Sequence, residues 1–270
     1  MAATTSSALA ATATLVSVAF ACCTLERWLG RRRPHEAAWT VSLFLFAAGS
    51  AALWLGTVHG WSEPSFRAFY LFGGVLNVPF LALGTVYLLA GRRVADRTAR
   101  TVGALACFAA GVILVAPISG PIDAVEFPTG KAYFGVLPRL LAGLGSGLAA
   151  LVIIGGALWS AVRLLRGRSR PGAPTQVPAG RLAAANLLIA LGTLTISAKG
   201  AFEGLGDEET AFAAALASGI VVLFLGFLLT GTRAAPAPAP ARPLHLAELA
   251  TPPDEPVVTL SATSDAAPSR

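Results

Sequence analysis

Hydrophobic and polar positions fall into long alternating blocks along the chain. Seven apolar runs are separated by short polar stretches, and each run is long enough to cross a bilayer core of about 30 Å as an α-helix. The runs lie at approximately 6–26, 38–59, 67–90, 100–118, 137–162, 182–202 and 210–231. This pattern predicts an all-α, polytopic membrane protein in which residues 1–232 form a seven-transmembrane-helix bundle.

The composition supports the same fold class. Hydrophobic residues make up 55% of the chain, charged residues only 13%, and the mean hydropathy is +0.68. Soluble domains carry about 25% charged residues, so this chain has too few charges to cover a surface in water. We therefore expect the lipid bilayer to be its principal partner.

The basic residues are placed as they are in membrane proteins that obey the positive-inside rule. They concentrate in the first, third and fifth loops and after the last run, whereas the second, fourth and sixth loops are acidic or nearly uncharged. Placing the Arg-rich loops in the cytoplasm leaves 16 of the 20 basic residues inside. The pattern predicts an N-out/C-in topology in a bacterial inner (plasma) membrane, and it does not predict nucleic-acid binding.

The end of the chain differs from the rest. Residues 233–270 are rich in proline and alanine and include the stretch APAPAPARP. They show no apolar periodicity from which a core could form, so we expect a disordered cytoplasmic tail.

The third apolar run carries the most unusual polar residue. It reads YLFGGVLNVPFLALGTVY from Tyr70 to Tyr87, and Asn77 falls near mid-bilayer. Pro79 lacks an N–H and its ring clashes with the carbonyl of Val75, which predicts a helix kink and a carbonyl that needs another partner. Asn77 either hydrogen-bonds across helices or lines a ligand site or pathway.

A second group of polar residues is expected at the outer face. Arg67 and Arg139 begin predicted helices, where the helix dipole disfavours a cation, so each is expected to pair with an acid such as Glu63 or Glu203. Lys199 and Glu203 are four positions apart and form a possible pair. These residues form either interface ion pairs or a site for an anionic ligand. The predicted polar pocket comprises Asn77, Tyr70, Arg67, Arg139, Lys199 and Glu203.

Small residues predict where helices approach closely. Gly143, Gly147 and Gly155 recur at multiples of four positions in the fifth run. The fourth run repeats the pattern with Gly103, Cys107 and Gly111, and the sixth run is rich in alanine. We expect these faces to pack in the bundle.

Motifs of known catalytic chemistry are absent from the sequence. It contains no HExxH, GxSxG or P-loop signature, and its cysteines, Cys22, Cys23 and Cys107, lie in apolar runs. The sequence therefore predicts no enzyme activity, no metal site and no cofactor.

One segment resembles a known group of proteins. The stretch FRAFYLFGGVLNVPFLALGTVYLLAGRR, from Phe66 to Arg93, is similar to a segment of uncharacterised multi-span membrane proteins of high-GC actinobacteria. No activity is known for that family, so the resemblance implies a membrane location and no mechanism.

Three functions agree with these patterns. The first is binding or sensing of a small ligand at the outer face, with the kinked third helix responding. The second is a transporter or channel whose pathway passes Asn77 and continues inward by Thr85, Asn186 or Thr193. The third is a non-catalytic accessory subunit with a membrane-protein partner.

Overall fold

The described part of the chain is mostly helical. The computed structural model describes residues 2–166, 179–197 and 208–230, and these include no β-strand. Their α-helices are α1 (Ala2–Arg31), α2 (Pro34–His59), α3 (Glu63–Ala68), α4 (Asn77–Leu89), α5 (Arg92–Val115), α6 (Gly130–Tyr133), α7 (Val136–Leu165), α8 (Ala179–Ser197) and α9 (Glu208–Thr230). A π-helix, Phe69–Leu76, joins α3 to α4.

Six helical segments are long and apolar enough to cross a membrane. They are Thr5–Arg31, Pro34–His59, Glu63–Leu89, Arg92–Val115, Val136–Arg163 and Glu208–Leu229. The prediction of a multi-pass membrane protein is thus confirmed. The sixth predicted run corresponds to α8, whose apolar part, Ala183–Ile196, is shorter than the other six segments. The predicted tail, 233–270, lies outside the described residues.

The helices pack in a closed ring. α1 packs on α2, α2 on α4 and the π-helix, α4 on α7, α7 on α8, and α8 on α9, which returns to α1. The seam between α1 and α9 is lined by small residues, including the fully buried Ala10, Ala13 and Ala213, with Phe20 packed on two rings of α9. α5 contacts the bundle mainly through α4, α7 and the π-helix and is the least buried of the long segments.

Close backbone contact occurs where the predicted small residues of α8 meet α9. A Cβ on Gly192 would lie 2.8 Å from the carbonyl oxygen of Gly219, and one on Gly226 would lie 2.9 Å from that of Ala185. Side chains at these positions would collide with backbone, so glycine permits the contact. The expectation of small-residue packing in the sixth run is confirmed.

The glycines that were predicted to pack in the fourth and fifth runs do not contact a neighbouring helix within the described residues. No atom lies within 4 Å of a Cβ built on Gly143, Gly147 or Gly155, nor on Gly103 or Gly111. The buried face of α7 is instead formed by alanine and isoleucine at helical spacing: Ala149, Ala150, Ile153, Ala157 and Ala161. Ile153 and Gly155 are two positions apart, about 200° around the helix, so packing one face leaves the other open.

Gly49 makes the tightest contact between α2 and the π-helix. A Cβ at this position would lie 2.7 Å from the Cα of Gly73. We expect Gly49→Ala to destabilise the protein by about 1 to 3 kcal/mol, because neither backbone can move without shifting a helix. Unfolding of the purified protein in mixed micelles measures the effect. Gly111→Ala is the matched control and should be neutral or stabilising, because its Cβ meets no atom and alanine favours helix.

Candidate functional site

The predicted kink in the third segment takes the form of a π-helix. Its last hydrogen bond runs from the N–H of Asn77 to the carbonyl oxygen of Phe72, five residues earlier, and α-helix resumes at Asn77. Pro79 lies in the first turn of α4, where its missing N–H is tolerated. The π-helix therefore accommodates the proline by inserting one extra residue before it, in the manner of π-bulges in other helices.

A neighbouring helix supplies the partner for a carbonyl released near Pro79. In the π register the fifth residue after Gly74 is Pro79, whose nitrogen carries no hydrogen. The hydroxyl of Ser146 on α7 donates a 2.6 Å hydrogen bond to the carbonyl oxygen of Gly74. The expected interhelical partner exists, but it serves Gly74 and not Val75, because the hydrogen-bond register is one residue wider than in an α-helix.

Asn77 is buried in the bundle, as the sequence predicts, with 5% of its surface exposed. Its carbonyl oxygen accepts a 2.7 Å hydrogen bond from the hydroxyl of Ser42 on α2. Its side-chain Oδ1 is buried and accepts no hydrogen bond from the described residues. The backbone of Asn77 thus ties α4 to α2, whereas its amide oxygen is left over as an acceptor in the interior.

We expect Ser146→Ala to weaken the bundle by about 0.6 to 2 kcal/mol, the range for a hydrogen bond between membrane helices. The substitution removes the partner of the Gly74 carbonyl without altering the helix backbone. Thermal unfolding in nanodiscs measures the loss. Ser218→Ala should change stability less, because the hydroxyl of Ser218 bonds only within α9.

Arg67 lies near the start of the same segment, Glu63–Leu89, and its guanidinium has three partners. Its guanidinium pairs with Glu63 at 2.7 Å, so the predicted acidic partner is confirmed. It also donates to the carbonyl oxygens of Ile113 and Ala116, the latter at 2.8 Å. These carbonyls end α5, where a helix has unpaired acceptors and a negative dipole end. Arg67 therefore clamps the end of α5 to the last turn of α3.

A cleft opens beside this clamp. Its volume is about 510 Å³, and it is lined by Ser62, Glu63, Arg67 and residues 115–118 and 120–122. The far wall is apolar, formed by proline, isoleucine and valine side chains, and the near wall carries the hydroxyl of Ser62 and the carboxylate of Glu63. The side chain of Glu63 is 58% exposed, whereas that of Arg67 is 14% exposed. The accessible charge at the cleft is therefore the carboxylate.

Tyr70 belongs to an aromatic cluster beneath the loops, and not to the surroundings of Asn77. Its ring lies 4.9 Å from that of Phe134 and 5.9 Å from that of Phe66, centroid to centroid. A second group of rings, formed by Trp61, Phe69, Phe127 and Phe212, joins the π-helix, the 116–129 segment and α9. Trp61 is 4% exposed and packs against the rings of Phe69 and Phe127.

Of the predicted pocket residues, Arg139 lies near enough to Tyr70 to interact with it electrostatically, but the structure does not assemble the whole set. Arg139 is exposed and forms no ion pair with the residues that the structure describes. Lys199 and Glu203 lie outside the described residues. Asn77 comes ten positions after Arg67, about 15 Å along a helix, and the two side chains share no hydrogen-bond partner. A single pocket of all six residues stays a prediction.

A buried ion pair that was not predicted from the sequence lies at the start of α2. The side chain of Glu36 is 0% exposed, and its Oε1 lies 3.5 Å from Nε of Arg27, too poorly aligned for a hydrogen bond. The guanidinium of Arg27 sits 4.4 Å from the ring centroid of Phe227, which joins α1, α2 and α9. In the sequence, Arg27 is one of four arginines near the first loop, and we attributed all of them to membrane topology. The carboxylate of Glu36, in the first turn of the next helix, could have indicated the ion pair.

Within the described residues no group of three or more His, Cys, Asp or Glu side chains could hold a metal ion. Comparison of the chain with protein-family models, curated proteins and solved structures found no match. A function must therefore be inferred from the geometry of the bundle.

Proposed function

We propose that this protein is a seven-span, N-out/C-in protein of a bacterial inner membrane that binds a small ligand in the cleft beside Arg67. The binding is non-catalytic and serves to sense the ligand. The observation that carries the proposal is the cleft itself: it opens at the clamp that joins α3 to α5, and its near wall is continuous with the π-helix.

The relation between the first and last helices supports seven spans. Ser6 near the start of α1 donates a 2.8 Å hydrogen bond to Glu209 near the start of α9, and Arg27 near the end of α1 lies over Phe227 near the end of α9. The two helices therefore run parallel. Parallel first and last spans require an odd number of crossings. This condition is met if α8 crosses the membrane in addition to the six longer segments.

Labelling from outside tests the orientation. In a chain whose three cysteines are replaced by serine, Val125→Cys in the 116–129 segment should react with a membrane-impermeant thiol reagent in intact cells. Arg93→Cys, in the first turn of α5, should react only after the membrane is opened. Reaction of Arg93→Cys in intact cells would reverse the topology and place the cleft in the cytoplasm.

The polar groups along the inner half of the bundle favour binding over transport. Asn186, a predicted pathway residue, donates a 2.9 Å hydrogen bond to Ser160, and Thr193 donates to the carbonyl oxygen of Ile189 at 2.8 Å. Asn186 thus joins α8 to α7, and the hydroxyl of Thr193 is bonded within α8, so neither polar group is free to line a route. Solute flux in proteoliposomes that falls on Asn77→Leu would support the pathway instead.

A cleft-filling variant tests the ligand site. Thermal shift of the protein in nanodiscs against a library of small amines, sugars and carboxylic acids should yield a stabiliser. Its effect should disappear in Ile122→Trp, which fills the cleft, and persist in Val125→Trp, which lies in the same segment and does not line it. A stabiliser unaffected by Ile122→Trp would place binding elsewhere, and a screen with no stabiliser would favour an accessory subunit.

A further inference from the structure

The one cation that lines the cleft is already used in holding the fold. Nε of Arg67 donates a 2.8 Å hydrogen bond to Glu63, and the two terminal nitrogens donate to the carbonyl oxygens of Ile113 and Ala116. The side chain is 14% exposed. An anionic ligand would have to break these contacts in order to reach the guanidinium.

The carboxylate of Glu63 keeps one oxygen available to a ligand. Both contacts with Arg67 are made by Oε1, at 2.8 Å from Nε and 2.7 Å from a terminal nitrogen. Oε2 accepts no hydrogen bond from the described residues, and the side chain is 58% exposed at the cleft. An ionised carboxylate is an acceptor only, so this oxygen suits a group that donates.

The hydroxyl of Ser62, beside Glu63, also faces the cleft as an acceptor. The hydroxyl of Ser65 donates to the carbonyl oxygen of Ser62 at 2.9 Å, so its single hydrogen is used. The 3.0 Å hydrogen bond between the two hydroxyls is therefore donated by Ser62. The backbone N–H of Ser62 is donated to Ser65 as well, at 2.9 Å. The near wall thus presents oxygen lone pairs and spends its hydrogens internally.

The far wall offers few donors. Pro117 and Pro121 have no N–H, and the N–H of Gly120 is donated to the carbonyl oxygen of Ile118 at 3.1 Å. The N–H of Ala116 is donated within the end of α5. Side chains of proline, valine and isoleucine cover the rest of this wall. A carboxylate or phosphate would lose water here and gain few hydrogen bonds in return.

We propose that the ligand of this cleft is an organic cation with a primary ammonium group and a compact apolar body. This inference rests on the proposed function, because it names the chemistry of the ligand at the same site. The ammonium group donates to Oε2 of Glu63 and to the hydroxyl oxygen of Ser62, and the apolar body lies on the far wall. A volume of about 510 Å³ is within the range of small-molecule sites.

A quaternary ammonium ion fits this cleft less well than a primary one. It has no N–H to donate to the two acceptors of the near wall. Proteins that recognise such ions surround them with aromatic rings, and none of the described residues that line the cleft is aromatic. The cleft therefore selects for hydrogen-bond donation as well as for positive charge.

A primary ammonium group can belong to a free amine or to the headgroup of an aminophospholipid. Both sources have access, because Val115 at the end of α5 lines the cleft and is 81% exposed. Nanodiscs of phosphatidylcholine contain no primary ammonium and serve as the reference. If adding phosphatidylethanolamine weakens the binding of a soluble amine, the lipid headgroup occupies the site, and if it has no effect, the ligand is a free amine. Both results support the ammonium assignment.

Four cyclohexyl compounds compare the ligand classes on the unaltered chain. Calorimetry in phosphatidylcholine nanodiscs uses cyclohexylamine, cyclohexanol, cyclohexanecarboxylate and trimethylcyclohexylammonium. Cyclohexylamine should bind at least about tenfold more tightly than each of the others, since it alone donates charged hydrogen bonds. Its binding should be lost in Ile122→Trp, which fills the cleft.

The same titrations separate two kinds of failure. Equal or tighter binding of any other compound, removed by Ile122→Trp, overturns the ammonium assignment and leaves the ligand site intact. If Ile122→Trp removes the binding of none of the four, the assignment also fails, whereas the site itself fails only when the library screen yields no stabiliser either.

Glu63→Gln tests the carboxylate directly. Glutamine keeps an oxygen that accepts from Arg67 but carries no charge, so the Kd of cyclohexylamine should rise at least about tenfold. Glu126→Gln removes an exposed carboxylate that does not line the cleft, and it should leave the Kd unchanged. Equal effects of the two substitutions, or an unchanged Kd in Glu63→Gln, contradict the assignment. If Glu63→Gln does not fold, the comparison of the four compounds decides.

Discussion

Arg27→Met is expected to destabilise the protein by about 3 to 5 kcal/mol, the cost of leaving a buried charge without its partner. Glu36 is 0% exposed and has no hydrogen bond to either carboxylate oxygen, and within the described residues its only ion pair is with Arg27. The substitution also removes the guanidinium from the ring of Phe227. Reversible unfolding in mixed micelles, followed by tryptophan fluorescence, measures the loss.

The double variant Arg27→Met/Glu36→Leu distinguishes a charge effect from a packing effect. With both charges removed and the volume kept, stability should return to the wild-type value or exceed it. Arg31→Met, on the exposed side of the same helix end, should change stability little. A double variant as unstable as Arg27→Met would mean that shape, and not an unpaired charge, determines the stability of this corner.

Arg67→Gln is expected to cost at least about 1.5 to 3 kcal/mol, because the charged hydrogen bonds to two carbonyl oxygens of α5 are lost together with the Glu63 pair. Those carbonyls belong to Ile113 and Ala116, both buried, so water replaces the guanidinium poorly. We expect α5 to loosen first, since little else holds it. Hydrogen exchange should quicken in the last turn of α5 and stay unchanged in α1.

The control for this result is Arg139→Gln, which removes another cation of the predicted outer face without breaking an ion pair of the described residues. Arg139→Gln should leave both the unfolding midpoint and the exchange of α5 unaltered. Equal effects of the two substitutions would show that the net charge of the outer face matters, and not the clamp.

Much of the architecture follows from the sequence, because lipid leaves a segment few alternatives. A run of about 20 apolar residues must satisfy its backbone internally, so the long helices and their approximate ends are readable from hydropathy. Pro79 likewise predicts a disturbed helix and a carbonyl served by a neighbour, since both consequences are local covalent facts. The partner of Arg67 was also predictable, because Glu63 is one turn away.

The sequence does not reveal which face of each helix packs against which neighbouring helix. Gly143, Gly147 and Gly155 of α7 lie on a face that contacts no other helix that the structure describes, because alanines two positions away supply an equally small surface for packing. The role of Arg67 at the end of α5 joins residues 46 and 49 positions apart, which no spacing rule connects. The partner of the Gly74 carbonyl, Ser146, lies 72 positions further along the chain on α7, so no spacing within the third segment indicates it.

The adjacency of α1 and α9 has a consequence for biosynthesis. The hydrophobic seam of α1, with Phe20 and Arg27, has no cover until the last helix leaves the ribosome and enters the bilayer. Throughout translation the first segment is an unfinished surface, exposed to lipid and to quality-control proteases. A nascent chain that stops before Glu208 therefore keeps that seam open, and completion of the ring is the event that marks a finished molecule.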